Sequence, residues 1–117
     1  MVSIDHLPAI LEGRIREWAC RERFLLRDAK TFHTAVIQLL GSFGFCDIER
    51  EMPVKYCGRS GFIDIHATYP YRVAIELDRS KPRLKSIEKL IMLGPDVLKL
   101  VVLRTPPSHR YQHTYVY

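Results

Sequence analysis

Apolar residues recur at helical spacing through the first third of the chain. Over residues 10–26 they fall on one arc of a helical wheel, and Arg16, Arg23 and Arg27 fall on the opposite arc. This pattern predicts an amphipathic helix with a basic outer face. Glutamates are interspersed along that face, which favours a solvated mixed-charge surface over a phosphate-binding one. A second helix is predicted over residues 29–40.

The period of the pattern changes from 3.6 to two after Cys46. Residues 47–56 alternate imperfectly, and residues 58–61 have the glycine-flanked composition of a turn between antiparallel strands. Residues 62–68 and 72–78 alternate cleanly on either side of a short turn. These segments predict a three-stranded meander. The apolar face of its middle strand comprises Ile63, Ile65 and Ala67.

The rest of the chain predicts a helix, a buried strand and a tail. Pro82 suits the first turn of a helix, whose predicted apolar stripe is Leu84, Ile87, Leu90 and Ile91. Residues 97–103 are nearly all apolar, as expected for a strand that is covered on both faces and paired in parallel. The tail, with His109 and His113, is typical of an extended arm or an edge element.

We therefore expect an α/β (α+β) domain in which helices flank a mixed central sheet. The chain has 117 residues, of which 47% are hydrophobic, and this fits one domain and excludes both a second domain and intrinsic disorder. Residues 1–28 would form an N-terminal helical extension, residues 29–105 the core, and residues 106–117 a C-terminal tail.

Charge and cysteine content indicate which binding partners and which cellular compartment to expect. The net charge of +5 favours polyanionic partners such as nucleic acid. Apolar runs are too short for a membrane span, and the first residues lack the features of a signal peptide, so we expect no membrane partner. Three widely spaced cysteines without a CxxC pair indicate reduced thiols and a cytoplasmic protein.

Acidic residues on two neighbouring predicted strands suggest a chemical site. Glu76 and Asp78 project from one face of their strand, and the short turn can bring Asp64 beside Glu76. We expect the three carboxylates to converge. Their repulsion would be relieved by a divalent cation, Mg²⁺ or Mn²⁺, which can activate water to hydrolyse a phosphodiester.

Residues 61–65 (GFIDI) and 73–78 (VAIELD), followed by a lysine-containing helix and an apolar strand, resemble the core of the PD-(D/E)xK, or restriction-endonuclease-like, nuclease superfamily. The resemblance runs from the second helix to about Leu103 and implies an αβββαβ core. It also implies that Asp64 and Glu76 are the metal ligands.

The lysine of the family motif is replaced in this chain. Its position, two residues after Glu76, holds Asp78. The resemblance implies that an amine orients or deprotonates the attacking water, and some members supply it from the following helix. Lys81, Lys85 and Lys89 recur there every four residues, and we expect Lys85, or otherwise Lys81, to face Glu76.

The resulting hypothesis is a Mg²⁺-dependent endonuclease that cleaves DNA. Asp64 and Glu76 would bind the metal, Asp78 would assist, and Lys85 or Lys81 would supply the amine. The candidate DNA contacts are Arg59, Lys81, Lys85 and Lys89. Because so short a chain has little room for a sequence-reading domain, DNA would be recognised by its structure, through a homodimer or through a partner protein.

Other interpretations of the same residues stay open. The fold could serve as a catalytically inactive DNA-binding module, or as an interaction subunit whose acidic face docks a basic partner. Alternating acids are commonly the solvated face of a sheet. His66 shares the face of Asp64 and could bind the metal or make an ordinary hydrogen bond. The tail tyrosines could stack on bases or pack against protein; they are Tyr111, Tyr115 and Tyr117.

Overall fold

Five strands form one mixed sheet in this computed structural model, which describes residues 2–105 and 112–117. The helices are α1 (Leu7–Arg21), α2 (Ala29–Ser42) and α3 (Leu84–Ile91), and a short 3-10 helix, Arg23–Leu26, follows α1. The strands are β1 (Glu49–Tyr56), β2 (Arg59–Ala67), β3 (Val73–Asp78), β4 (Leu98–Leu103) and β5 (Thr114–Val116).

The strands lie in the spatial order β1-β2-β3-β4-β5. The first three form an antiparallel meander, β4 pairs in parallel with β3, and β5 pairs antiparallel with β4 at the edge. The crossover that a parallel pair requires is made through α3. The predicted meander, the parallel buried strand and the edge element are thus confirmed, and the chain has an α+β fold.

Helices cover both faces of the sheet. On one face α1 and α2 pack on alternate residues of β3 and β4, such as Ile75 and Leu100. On the other face Leu90 of α3 packs on the intervening residues, including Ala74 and Val101. A strand end on the α3 face is therefore covered by a helix and not exposed to solvent. Any polar group there needs a partner within the protein.

The N-terminal helical region differs from the single helix predicted over residues 10–26. Helix α1 ends at Arg21, and the chain continues as the 3-10 helix before α2 begins. Asp28 explains the restart, because its Oδ1 accepts the backbone N–H of Thr31 (2.8 Å) as an N-cap.

The predicted hairpin is present, but its turn lies earlier than residues 58–61. Cys57 and Gly58 have φ angles of 48° and 73°, and Tyr56 pairs with Arg59. Left-handed φ at both central residues is the geometry of a two-residue type I′ turn, whose twist matches that of the strands. Arg59 therefore lies at the start of β2 and is exposed.

The prediction that Ile63, Ile65 and Ala67 share one face is wrong at Ile63. Ile65 and Ala67 belong to the core beneath α1 and α2, whereas Ile63 packs with Leu90 on the α3 side. The alternation fails at the residue between them, Asp64, which is also the first residue of β2 beyond its pairing with β3.

Part of the predicted tail forms the edge strand β5. His109 and Tyr111 lie outside the described residues. Tyr115 is in β5, and Tyr117 follows it. Over the described part of the chain, no helix combines the length and the apolar character needed to cross a lipid bilayer.

Candidate active site between β2, β3 and α3

The candidate site lies where the pairing of β2 with β3 ends. The two strands pair from Ala67 opposite Val73 to Ile65 opposite Ile75. One residue further, side chains replace the backbone ladder: Asp64 N–H donates to Glu76 Oε2 (2.8 Å), and Leu77 N–H donates to Asp64 Oδ2 (2.8 Å). This exchange holds the carboxylates of Asp64 and Glu76 beside each other on adjacent strands.

Glu76 is fully buried and has a cationic partner from α3. Its Oε1 forms an ion pair with Lys89 Nζ, which also donates to the backbone carbonyl of Phe62 (2.8 Å). Burial, together with the nearby charge of Asp64, raises the pKa of Glu76 from 4.5 to about 7, although hydrogen bonding to Lys89 opposes the rise. Asp64 is half-buried, so the site is closed at Glu76 and more open at Asp64.

The structure brings Lys89, rather than Lys85 or Lys81, to Glu76. Helix α3 begins at Leu84, so Lys81 precedes the helix and Lys85 lies in its first turn; both side chains are exposed. Lys89 lies one turn later and is buried against the sheet. The expectation that Lys85 faces Glu76 is therefore corrected, and Lys89, which we had predicted only as a DNA contact, holds that position.

The orientation of α3 also differs from its predicted apolar stripe. Leu84 and Ile91 are 71% and 58% exposed, whereas Ser86 and Lys89 are buried beside Leu90. The helix turns polar side chains inward because the sheet beneath it presents acids that need partners.

Asp78 does not join the other two carboxylates. It is buried, and it accepts hydrogen bonds from Arg83 N–H (2.9 Å), Arg83 Nε (2.8 Å) and Ser86 Oγ (2.9 Å). All of these donors belong to the start of α3, so Asp78 fixes the helix to the end of β3. The predicted convergence of three acids is therefore wrong, and the structure contains a pair.

His66 and His113 make their contacts with groups outside this pair. His66 is buried, and Arg72 Nε donates to its Nε2 (3.4 Å). Burial, and then the charge of Arg72, lower the pKa of His66 while Glu49 opposes the change. His113 Nδ1 lies 2.7 Å from the backbone carbonyl of Leu103.

The donor set suits a cation that is only partly held by protein. Within residues 2–105 and 112–117, no cluster of three or more His, Cys, Asp or Glu side chains could hold a metal ion. Mg²⁺ prefers oxygen ligands and commonly takes only one or two carboxylates, with water and substrate phosphate completing its shell. Asp64 and Glu76 supply two such carboxylates.

Apolar spacing along α3 does not single out Lys89 as the lysine that reaches Glu76. Its signal was present as the i, i+3 spacing of Ser86 and Lys89, which places both on one helix face with acids two apart on the preceding strand.

Comparisons of the chain with protein-family models, with curated proteins and with solved structures found no match in any of the three.

Proposed function

We propose that this chain is a metal-dependent nuclease-like domain that hydrolyses phosphodiester bonds in DNA. The observation that carries the proposal is the contact between Asp64 and Glu76 on adjacent strands with Lys89 ion-paired to Glu76. These are two acids and a lysine, the residue types of the PD-(D/E)xK motif, and the lysine comes from the helix after β3. The order α2-β1-β2-β3-α3-β4, with β3 and β4 parallel, supports a restriction-endonuclease-like core.

Asp64 and Glu76 would hold Mg²⁺ or Mn²⁺ in this proposal. The bound cation supplies Lewis-acid polarisation of the phosphate and lowers the pKa of a water molecule. The chain's own residues prepare the site before any ligand arrives: backbone N–H groups of Asp64 and Leu77 orient the two carboxylates, and α3 excludes water from Glu76. Such fixed orientation reduces reorganisation during reaction.

Lys89 would act as the amine of the site. Its Nζ is anchored at two points, the carboxylate of Glu76 and the carbonyl of Phe62, so it cannot swing freely. A positive charge held in a buried position offsets negative charge that develops on a phosphate more strongly than an exposed one. Lys81 and Lys85, being exposed, are then available for backbone phosphates of DNA, as is Arg59.

A second candidate function is favoured by the same ion pair. Both oxygens of Glu76 are already engaged, Oε1 by Lys89 and Oε2 by Asp64 N–H, and Asp78 is committed to α3. A site in which Glu76 and Asp78 are engaged by groups of the protein suits a catalytically inactive module that keeps the fold for binding DNA or a partner protein.

A cleavage assay distinguishes the two. Supercoiled, branched and single-stranded DNA are incubated with the protein in Mg²⁺ or Mn²⁺, beside Asp64→Asn, Glu76→Gln and Lys89→Met. We expect a loss of at least about 100-fold in each variant, since acid–base and electrostatic groups typically contribute that much. Lys30→Met, which removes an exposed lysine of α2 outside the proposed site, is the control and should retain activity.

The outcomes separate clearly. Cleavage that survives in both Asp64→Asn and Glu76→Gln would refute the site. DNA binding without cleavage by any of the proteins would support the inactive module. The same proposal includes recognition of DNA through a homodimer or a partner protein. It also includes a cytoplasmic location, which agrees with the free thiols of Cys20, Cys46 and Cys57.

A further inference from the structure

A basic groove lies away from the Asp64–Glu76 pair, at the carboxyl ends of β3 and β4. It has a volume of about 870 Å³ and is bounded by α1, the 3-10 helix and the segments that follow the two strands. We call it the arginine groove after the five arginines that line it, which are Arg16, Arg23, Arg27, Arg79 and Arg104. They come from four separate segments of the chain, so the fold assembles a cluster that no local sequence run contains.

Most of the charge in the arginine groove is uncompensated. Among the described residues, Arg16 has an acidic partner, Glu12, at 2.6 Å, and the other four arginines have none within ion-pair distance. Arg23 Nε donates to the carbonyl of Ala19 (3.1 Å), and Arg104 Nη1 donates to the carbonyl of Arg27 (2.9 Å). These carbonyls fix side chains without cancelling charge.

Asp28 interacts electrostatically with Arg104. The pKa of Asp28 is lowered mainly by hydrogen bonds from Thr31, and Arg104 makes a smaller contribution. Because both oxygens of Asp28 accept from Thr31 as part of the cap of α2, this carboxylate is engaged there and does not fill the groove.

The shape and chemistry of the arginine groove suit phosphate groups. Guanidinium groups bind phosphate through two parallel hydrogen bonds, which explains the use of arginine where planar recognition of phosphate is needed. Ala19 and Leu26 give the wall an apolar component on which a base or sugar can lie. The volume lies in the upper part of the range for ligand sites and exceeds what one phosphate ion requires.

We propose that the arginine groove binds the phosphate groups of a nucleic-acid strand. The choice of nucleic acid over other polyanions rests on the proposed function. A smaller depression lined by Asp78, Arg79, Arg83 and Arg104 adjoins the groove and shares two of its arginines. The depression extends the basic lining of the groove along the end of β3.

The test measures binding rather than cleavage. A fluorescein-labelled single-stranded oligonucleotide is titrated with the full chain in EDTA, and anisotropy is followed over a range of salt concentrations. Arg27→Gln and Arg79→Gln remove exposed side chains that make no described hydrogen bond, so neither change is expected to unfold the protein. Circular dichroism verifies the fold of each variant. Arg14→Gln, an exposed arginine of α1 outside the groove, is the matched control.

We expect each groove variant to weaken binding about tenfold and to reduce the slope of log K against log salt by about 0.7, the value for one phosphate contact on a single strand. Arg14→Gln should change affinity by less than about threefold. Arg27→Lys and Arg79→Lys should fall between, because lysine keeps the charge but loses the fork. Groove variants that bind as tightly as Arg14→Gln would overturn the proposal.

Competitors identify the source of the anion. If pyrophosphate or a mononucleotide displaces the oligonucleotide at equal phosphate concentration, the groove is a site for small ligands. If polyglutamate displaces it equally well, the groove is a site for acidic peptides. Either result overturns the assignment to a nucleic-acid strand. Failure of the nuclease proposal is distinguishable. If no protein cleaves DNA but binding still depends on Arg27 and Arg79, the arginine groove stands while the catalytic proposal falls.

Discussion

Replacing Glu76 by glutamine should remove a pH dependence from the stability of the fold. Glu76 is fully buried, and its pKa in the folded state is about 7 instead of 4.5. Between these two pH values the unfolded chain has lost the proton and the folded chain still holds it. Stability must therefore fall as pH rises from about 4.5 to 7, and the penalty is complete above pH 7.

The size of the effect follows from the shift. One pKa unit corresponds to about 1.36 kcal/mol, so a rise from 4.5 to about 7 costs about 3 kcal/mol at alkaline pH. Glutamine resembles the protonated carboxyl in shape and charge but keeps one acceptor oxygen. The loss of the second acceptor adds an offset that does not vary with pH, so the change of the difference between the two proteins isolates the titration.

Urea denaturation in EDTA at pH 5 and at pH 8.5 measures this change. Trp18 is the sole tryptophan, is buried, and packs edge-to-face on Phe32 with ring centroids 6.3 Å apart, so its fluorescence reports unfolding. Relative to Glu76→Gln, the unaltered protein should lose about 2.5 kcal/mol over this interval, because the unfolded carboxyl is already partly ionised at pH 5. Glu17→Gln, on the exposed side of α1, should show no such trend. A difference that stays constant with pH would refute the reasoning.

Three further predictions concern contacts outside the acidic pair. Asp78→Ala should lower the free energy of unfolding by about 2–4 kcal/mol in urea denaturation, because it strands the buried hydroxyl of Ser86 and breaks two bonds to Arg83; a loss below about 1 kcal/mol would contradict this. Glu12 Oε1 accepts the backbone N–H of Thr114 (2.8 Å), so Glu12→Ala should speed hydrogen exchange at that amide by about tenfold, and an unchanged rate would show that the contact does not hold β5. Phe32→Ala should cost about 3–5 kcal/mol by circular dichroism in urea, and a near-neutral result would mean that α2 packs differently.

The spacing of apolar residues predicted most of the fold because each element packs against the apolar core on either one face or both faces. Residues 73–78 alternate because α1 and α2 cover one face and α3 covers the other, with acids on the second face. Residues 97–103 do not alternate because apolar cores lie on both sides of β4. The change from α1 to the 3-10 helix after Arg21 was not predicted, because apolar residues continue at helical spacing through Leu26.

The candidate site was predicted only in part because two of its contacts depend on tertiary structure. The alternation and the short turn were enough to place Asp64 beside Glu76. The rotation of α3 was not predictable from apolar spacing, since Leu84 and Ile91 point outward while Ser86 and Lys89 point inward. Hydropathy assigns lysine and serine to the outer face of a helix, and only the positions of the acids beneath α3 reverse that assignment.

One side chain, Asp78, links the absence of a lysine at position 78 to the placement of Lys89 against Glu76. A residue at position 78 faces the same side of the sheet as Glu76, so a lysine there would reach it along the strand. Asp78 instead binds the first turn of α3 through three hydrogen bonds and so sets where the helix begins. That start places Lys89, five residues after Leu84, against Glu76. Asp78 thus positions Lys89, which under the proposed nuclease assignment supplies the amine of the site, and for this reason we regard the Asp78 and Lys89 positions as one unit.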